Sequence, residues 1–337
     1  MHLDEFDYAL PDDLIAQVPV EPRDAARLLV DRGSAAPLHQ HVRDLDSMLG
    51  AGDLLVVNDT KVIPARLRLH RHSGGAAEVL LLEPLEPSRR VWEAMVRPGR
   101  KLREGERLVT SSGLELVEIG RRTAAGDTAE VTVLGEGDPL ALLGEHGEMP
   151  LPPYITTRLD RPDRYQTVYA AAPASAAAPT AGLHLTPELL GRLESQGVEL
   201  ARVELVVGLD TFKPVSSDDP RQHEMHSERY SVAADVLERC RRARRVVAVG
   251  TTSVRALESA AAFGELEGRT RLFIHRPYDW KVVDLMMTNF HLPRTTLLMM
   301  IDAFVGGRWR RLYDEAITER YRMLSFGDAM LLDRHLD

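Results

Sequence analysis

The sequence predicts an α/β fold: a main domain, barrel-like in its alternation of strands and helices, carrying an inserted small antiparallel β-barrel. Two textures predict it. Apolar, valine- and leucine-rich runs at 28–30, 54–57, 198–207 and 246–249 alternate with helix signals, the pattern of βα units. Between residues 66 and 149 the pattern changes to short alternating segments divided by Gly74-Gly75, Pro98-Gly99, Ser112-Gly113 and Gly135, as in a small barrel or sandwich. The expected domains are residues 1–65 as the first part of the main domain, 66–149 as the insertion, and 150–337 as the remainder. A chain of 337 residues, 44% hydrophobic and 28% charged, is long and apolar enough to bury two cores.

In chain order, Pro11 and the two following aspartates suit a short helix start, and Leu28-Leu29-Val30 a strand. Arg23 and Arg27 flank an acid just before it, which suits either a carboxylate or phosphate site or a surface turn. Gly52 to Lys61 reads as a buried strand ending in the polar cluster Asn58-Asp59-Thr60, and polar groups at strand ends are where α/β folds place chemistry. Pro150, Pro152 and Pro153 forbid a helix and mark an extended crossing between domains, and the alanine-rich 170–178 stretch reads as loop. Thr186 before Pro187 starts a helix that Gly197 ends. Helices are expected over about 233–244, 296–304 and 312–321, and a strand over Arg271–Ile274.

The stretch Val246–Ser259 organises the rest. A short buried strand ends at Gly250, and Thr251, Thr252 and Ser253, all good N-cap residues, open a helix. Such a junction gathers N–H groups and hydroxyls at one point and suits an anion, with Arg255 one turn in; an ordinary capped βα unit is the bland alternative.

Composition excludes several classes. No run approaches the ~18 apolar residues of a membrane span. The acidic N-terminus does not resemble a signal peptide. The single cysteine, Cys240, rules out an internal disulfide, and its arginine neighbours favour its thiolate somewhat, but it reads as a bystander; a reducing cytoplasm is expected. The net charge of −9 argues against generic nucleic-acid binding. Three basic runs stand against that balance: Arg66 to His72, Arg97 to Arg107 (with Arg100, Lys101 and Arg103), and Arg239 to Arg245. His223-Glu224-Met225-His226-Ser227-Glu228-Arg229-Tyr230 packs histidines and acids closely, but the set suits hydrogen bonding better than a closed zinc shell, so no metal is expected.

Taken together, the motifs resemble one family: the S-adenosylmethionine:tRNA ribosyltransferase-isomerases of queuosine biosynthesis. The matching stretches are Phe6-Asp7-Tyr8, Arg23–Val30, Gly52–Thr60, Ala178-Pro179-Thr180-Ala181-Gly182-Leu183-His184, His223–Tyr230, Val249–Arg255, Thr288-Asn289-Phe290-His291-Leu292-Pro293 and Gly327–Met330. They span nearly the whole chain in the same order. The resemblance implies an α/β main domain with an inserted β-barrel. It also implies transfer and isomerisation of the ribosyl group of S-adenosylmethionine onto 7-aminomethyl-7-deazaguanine in tRNA with a GUN anticodon. The product is epoxyqueuosine, and adenine and methionine are released. S-adenosylmethionine is then co-substrate, no cofactor is required, and a cytoplasmic monomer is expected.

That chemistry needs a base beside the sulfonium, an acid for departing adenine and donors for a carboxylate. Histidine suits proton transfer near neutral pH. The catalytic candidates are therefore His184, His226 and His291, and the substrate-binding candidates Asn58, Asp59, Thr180, Gly182, Glu228, Thr251, Thr252, Arg255 and Asn289. The chain departs from the family pattern at Ala26, Leu185, Val206, Asp210, Arg276 and Asp302. Because these departures add carboxylates and remove a histidine, a paralogue that transfers ribosyl groups to another amine, or an inactive RNA-binding relative, stays open as an alternative.

Overall fold

The computed structural model describes residues 1–123, 128–207, 219–223, 225 and 227–336. The chain begins with β1 (Arg27–Val30), β2 (Leu38–His41), β3 (Asp53–Asn58) and β4 (Thr60–Val62). Next come β5 (Arg66–Arg71), β6 (Ala76–Pro84), β7 (Val91–Arg97), β8 (Arg107–Val109), β9 (Glu115–Arg122) and β10 (Ala129–Val133). These six close into an antiparallel barrel in the order β10-β7-β6-β5-β8-β9. Alternate residues point inward, so that Val79, Leu81, Trp92, Ala94 and Val131 pack into a buried apolar core. Helix α1 (Pro139–His146), capped by Asp138, then leads out, and Glu148 bridges back to Arg66 where the barrel began.

The remaining elements are β11 (Ala172–Ser175), α2 (Pro187–Ser195), β12 (Glu199–Leu205), β13 (Glu228–Val232), α3 (Ala234–Arg242), β14 (Arg245–Val249), α4 (Gly250–Phe263), β15 (Glu267–Thr270), β16 (Leu285–Asn289), α5 (Thr296–Val305), α6 (Arg308–Thr318) and β17 (Ala329–Asp333). Nine strands form one mixed sheet, ordered β15-β13-β12-β3-β14-β16-β17-β1-β2, and β4 pairs with β11 in a separate parallel ribbon. The α/β class and the inserted antiparallel barrel are as the sequence predicts. The barrel-like main domain takes the form of a sheet with two ends, at β15 and β2.

Within the sheet β12, β3, β14 and β16 are parallel neighbours. All six residues of β3 and all five of β16 are buried, as expected for strands covered on both faces. Leu54, Val56, Val246, Ala248 and Met286 face α4, α5 and α6, and Leu55, Val57, Val247, Val249 and Met287 face α2. The period of two along each strand divides the valines between the faces.

Three sequence expectations are corrected. The strand near 271 is instead Glu267–Thr270, because Thr270 Oγ1 bonds Ser259 Oγ at 2.6 Å and accepts from Leu272 N at 3.0 Å, ending the ladder. The 170–178 loop contains β11, whose pairing to β4 needs no hydrophobic periodicity. The last helix begins at Arg308 rather than 312. Trp309, Leu312, Tyr313 and Ala316 are its buried stripe, and Trp309 belongs to the first turn. No helix of the described residues is long and apolar enough to cross a membrane.

Two buried carboxylates hold the sheet's frame. Glu258, fully buried in α4, accepts from the backbone N–H groups of Lys281 (2.9 Å), Val282 and Val283 (both 3.0 Å), and so fixes the segment entering β16. Asp53, at the start of β3, accepts from Arg244 (3.0 and 2.7 Å) and Arg245 (3.0 and 2.6 Å) at the start of β14. Burial alone would raise the Asp53 pKa, but the hydrogen bonds from Arg245 and Arg244 outweigh it and bring it down to about 2. Its contribution is therefore fully present above the ordinary carboxylate pKa and is lost as pH falls toward 2. Asp53→Ala leaves two guanidiniums crowded at the sheet edge, and a loss of about 3 kcal/mol is expected in urea unfolding at pH 7, shrinking at pH 2.

Candidate active site

Parallel neighbours end on the same side of a sheet, and the carboxyl ends of such strands are where open α/β sheets hold ligands. Here the ends of β12, β14 and β16 surround a cleft of about 960 Å³, counting its open mouth. The β14–α4 junction forms one wall. Gly250 is the first helical residue and has φ of +85°, a turn that residues with a side chain rarely make. The hydroxyls do not cap α4 as the sequence suggests: the N-cap is Val249, with no side-chain bond. Ser253 Oγ instead donates back to Val249 O at 2.7 Å. Thr252 Oγ1 is buried with no hydrogen-bond partner among the described residues. The positive end of α4 thus faces the cleft at Thr251 and Thr252.

Arg255, one turn further in and almost wholly buried, donates through Nη1 to Glu228 at the start of β13. Its Nε and Nη2 have no hydrogen-bond partner among the described residues. A buried guanidinium matched on one side only still favours a second anionic partner.

A neighbouring wall comes from the end of β16, the strand beside β14. His291 is 9% exposed, and its Nε2 lies 3.0 Å from Thr288 Oγ1. Its backbone is clamped: its N–H donates to Tyr313 Oη at 2.9 Å, and its carbonyl accepts from Tyr8 Oη at 2.5 Å. Burial lowers the ring's pKa to about 4, so the imidazole is neutral at pH 7, the state of a base. Asn289 also lines the cleft, with Thr180 Oγ1 donating to its Oδ1 at 2.9 Å.

The cleft therefore gathers Thr180, Glu228, Thr251, Thr252, Arg255, Asn289 and His291. His226 and Asp210 lie outside the described residues. Four candidates do not line it. His184 is buried behind Asn289, 3.1 Å from Asn289 Nδ2. Asn58 is consumed in stapling β3 to β12: its Nδ2 donates to Leu205 O at 3.0 Å, and its Oδ1 accepts from Leu205 N and Thr60 N. Asp59 sits past the end of β3, where burial and the nearby Glu204 raise its pKa. Gly182 is a packing residue, since a Cβ there would fall 1.9 Å from Tyr169 Oη.

Sequence reasoning missed Tyr154, Tyr165 and Ser325, which also line the cleft, with Tyr154 Oη and Ser325 Oγ 2.6 Å apart. Proline-rich crossings carry no periodicity that would flag a tyrosine. Cys240 is corrected: burial, only partly opposed by Arg239, pushes its thiol up to about 12, so it is not activated. Two basic runs are also accounted for. Arg68, Arg71 and His72 pair with Glu148, Glu106 and Glu115, while Arg239, Arg241 and Arg242 pair with Glu199 and Glu238.

Fold and cleft define an α/β protein with a barrel insertion and a ligand site at the carboxyl edge of its sheet, equipped with an anion-facing helix end and a neutral histidine. A family model describing queuosine biosynthesis proteins matches residues 3–332, and the chain belongs to that family. It is 51% identical over 343 residues to the S-adenosylmethionine:tRNA ribosyltransferase-isomerase of Symbiobacterium thermophilum, covering 98% of this chain and 100% of that one. It is 50% identical over 350 residues to the protein of the same name from Thermus thermophilus, covering 98% and 99%. A crystal structure of the Thermotoga maritima S-adenosylmethionine tRNA ribosyltransferase matches with 38% identity and a TM-score of 0.54, covering 97% of this chain and 99% of that one.

Two of the departures answer each other. Asp302, 1% exposed, accepts from Arg276 in a bidentate pair (2.6 and 2.7 Å) and from Trp309 Nε1 at 3.0 Å. Neither residue lines the cleft, so the added carboxylate is neutralised where it stands. Arg276→Ala strands a buried charge and is expected to cost about 3 kcal/mol in denaturant unfolding, whereas Arg276→Ala combined with Asp302→Ser is expected to recover most of that loss.

Proposed function

We propose that this protein transfers and isomerises the ribosyl group of S-adenosylmethionine onto 7-aminomethyl-7-deazaguanine at the wobble position of tRNA with a GUN anticodon, releasing adenine and methionine. The observation that carries this reading is convergence: stretches through which the chain resembles the family, 178–181, 249–255 and 288–292, are far apart in sequence and line one cleft. In this reading Arg255 and the α4 N-terminus take the methionine carboxylate. Glu228 lies beside the position of the methionine ammonium. His291, neutral, accepts the proton from the carbon next to the sulfonium, whose positive charge acidifies it. His226 remains the candidate acid for departing adenine. S-adenosylmethionine enters as co-substrate, no metal or further cofactor takes part, and the protein acts as a cytoplasmic monomer.

The run from Arg97 to Arg107 supplies the RNA surface. Arg107 pairs with Glu115 and Glu118, and the Arg100 side chain lies outside the described residues, but Arg97, Lys101 and Arg103 are exposed on the barrel and make no ion pair with described residues.

Purified protein incubated with S-adenosylmethionine and tRNA carrying the aminomethyl-deazaguanine is expected to release adenine and methionine one for one and to add an epoxycyclopentane to the nucleoside mass. Absence of adenine overturns the reading. Changing Arg97, Lys101 and Arg103 to Gln is expected to raise KM for tRNA about tenfold and to flatten the log–log salt dependence by about two, with KM for S-adenosylmethionine unchanged. Because His291 must be unprotonated to act, and its pKa is lowered to about 4, kcat/KM is expected to stay level from pH 7 to 5 and to fall only near 4; an acid limb centred at 6.5 would contradict the assignment.

A further inference from the structure

His184 neither lines the cleft nor lies free in the core. It sits at the head of a chain of hydrogen bonds that ends on the cleft wall. Asn289 Nδ2 lies 3.2 Å from the carbonyl oxygen of Asp328 and 3.1 Å from His184 Nε2. A carbonyl only accepts, so the amide NH₂ must face it. His184 Nε2, bonded to the same NH₂, must then be the unprotonated acceptor. Asn289 Oδ1 is left pointing the other way and takes the hydroxyl proton of Thr180 at 2.9 Å. Thr180 has one proton and has given it up. Toward the cleft its oxygen offers lone pairs alone.

We infer that His184 is a positioning residue that, together with the carbonyl of Asp328, holds the Asn289 amide so that Thr180 is an obligate hydrogen-bond acceptor in the cleft. This goes beyond the proposed function and rests on it for the identity of the substrate. The group that meets Thr180 must be a donor, a hydroxyl or an ammonium, and not a carboxylate or phosphate. The cleft then offers an anion-favouring group at the start of α4 and, close by, an oxygen at Thr180 that accepts only.

The surroundings of His184 keep the chain's direction. Burial, then the guanidiniums of Arg322, Arg23 and Arg164, hold the ring's pKa down to about 4, against a weaker opposing hydrogen bond with the Arg23 backbone. These arginines are anchored on carbonyls: Arg23 on Gln166 O (2.8 Å) and Leu183 O (3.1 Å), Arg164 on Val20 O (2.7 Å), and Arg322 on Val18 O. Protonated at Nε2, His184 would set two donors against each other, and the Asn289 amide could not turn over without facing its oxygen to the Asp328 carbonyl.

Two measurements on the full-length protein test this. The first needs no substrate. The ¹⁵N spectrum of the histidine rings at pH 7, with His184 identified by its loss in His184→Gln, is expected to show a pyridine-like Nε2 and a protonated Nδ1; the reverse tautomer overturns the proposal. The second separates positioning from proton transfer. His184→Leu and Thr180→Val, each confirmed folded by thermal melting, are expected to raise KM for S-adenosylmethionine about tenfold with kcat changed less than about threefold. The double variant is expected to be no worse than Thr180→Val alone. His184→Gln, which restores an acceptor, is expected to recover most of the loss with an unaltered pH profile. A loss of kcat above about a hundredfold in His184→Gln, or additivity of the two single changes, overturns the relay. Inhibition by methylthioadenosine tells which donor is used: equal weakening of this probe points to a ribose hydroxyl, and weakening of S-adenosylmethionine alone to the ammonium, both supporting the acceptor role. If wild-type protein binds neither compound, the substrate reading fails while the ring spectrum still decides the relay.

Discussion

The site exists because four adjacent strands run the same way. β12, β3, β14 and β16 are parallel, so their carboxyl ends lie along one edge of the sheet. Each junction there releases backbone and polar side chains that a strand interior would have to pair. A reversal at β14 would carry α4, with Thr251, Thr252 and Arg255, to the opposite edge from Asn289 and His291. The hydrophobic pattern enforces the arrangement, since only strands covered on both faces tolerate runs such as Val246–Val249.

Buried charge is handled consistently. Asp53, Glu258 and Asp302 are each answered by several donors and lie away from the cleft. Inside the cleft the matching is incomplete: Arg255 keeps two donor nitrogens and Thr252 its hydroxyl without hydrogen-bond partners among the described residues. Frame charges are closed circuits, and cleft groups hold valence in reserve. A substitution in the first class is read in stability, and one in the second in binding.

Much of this was legible in the chain. Thr186-Pro187 marks its helix start, with Thr186 Oγ1 accepting from Leu189 N at 3.1 Å, and the turn residues of 66–149 delimit the barrel strands. Gly250 marks the sharp junction. What pattern cannot give is which member of a motif faces the ligand. Thr180, Gly182 and His184 share one turn of 3₁₀ helix, Thr180–His184, yet one reaches the cleft, one makes room for Tyr169, and one acts from behind. Asn58 looks like a ligand residue at a strand end, but its amide is spent on Leu205. Arg164 and Arg322, which surround His184, come from stretches with no shared signature. These are facts of long-range packing, where spacing along the chain carries no information.

The barrel is joined to the sheet domain at two chain crossings. β4 leads into it and β11 lies just after the return crossing, and the two pair side by side. A salt bridge from Arg269 on β15 to Glu83 on β6 steadies the barrel from another quarter. From Ser175, the last residue of β11, the chain runs five residues to Thr180. The ribbon at the barrel's entry and exit and the acceptor on the cleft wall therefore belong to one short stretch of chain, so a change of length between Ser175 and Thr180 would be felt at both.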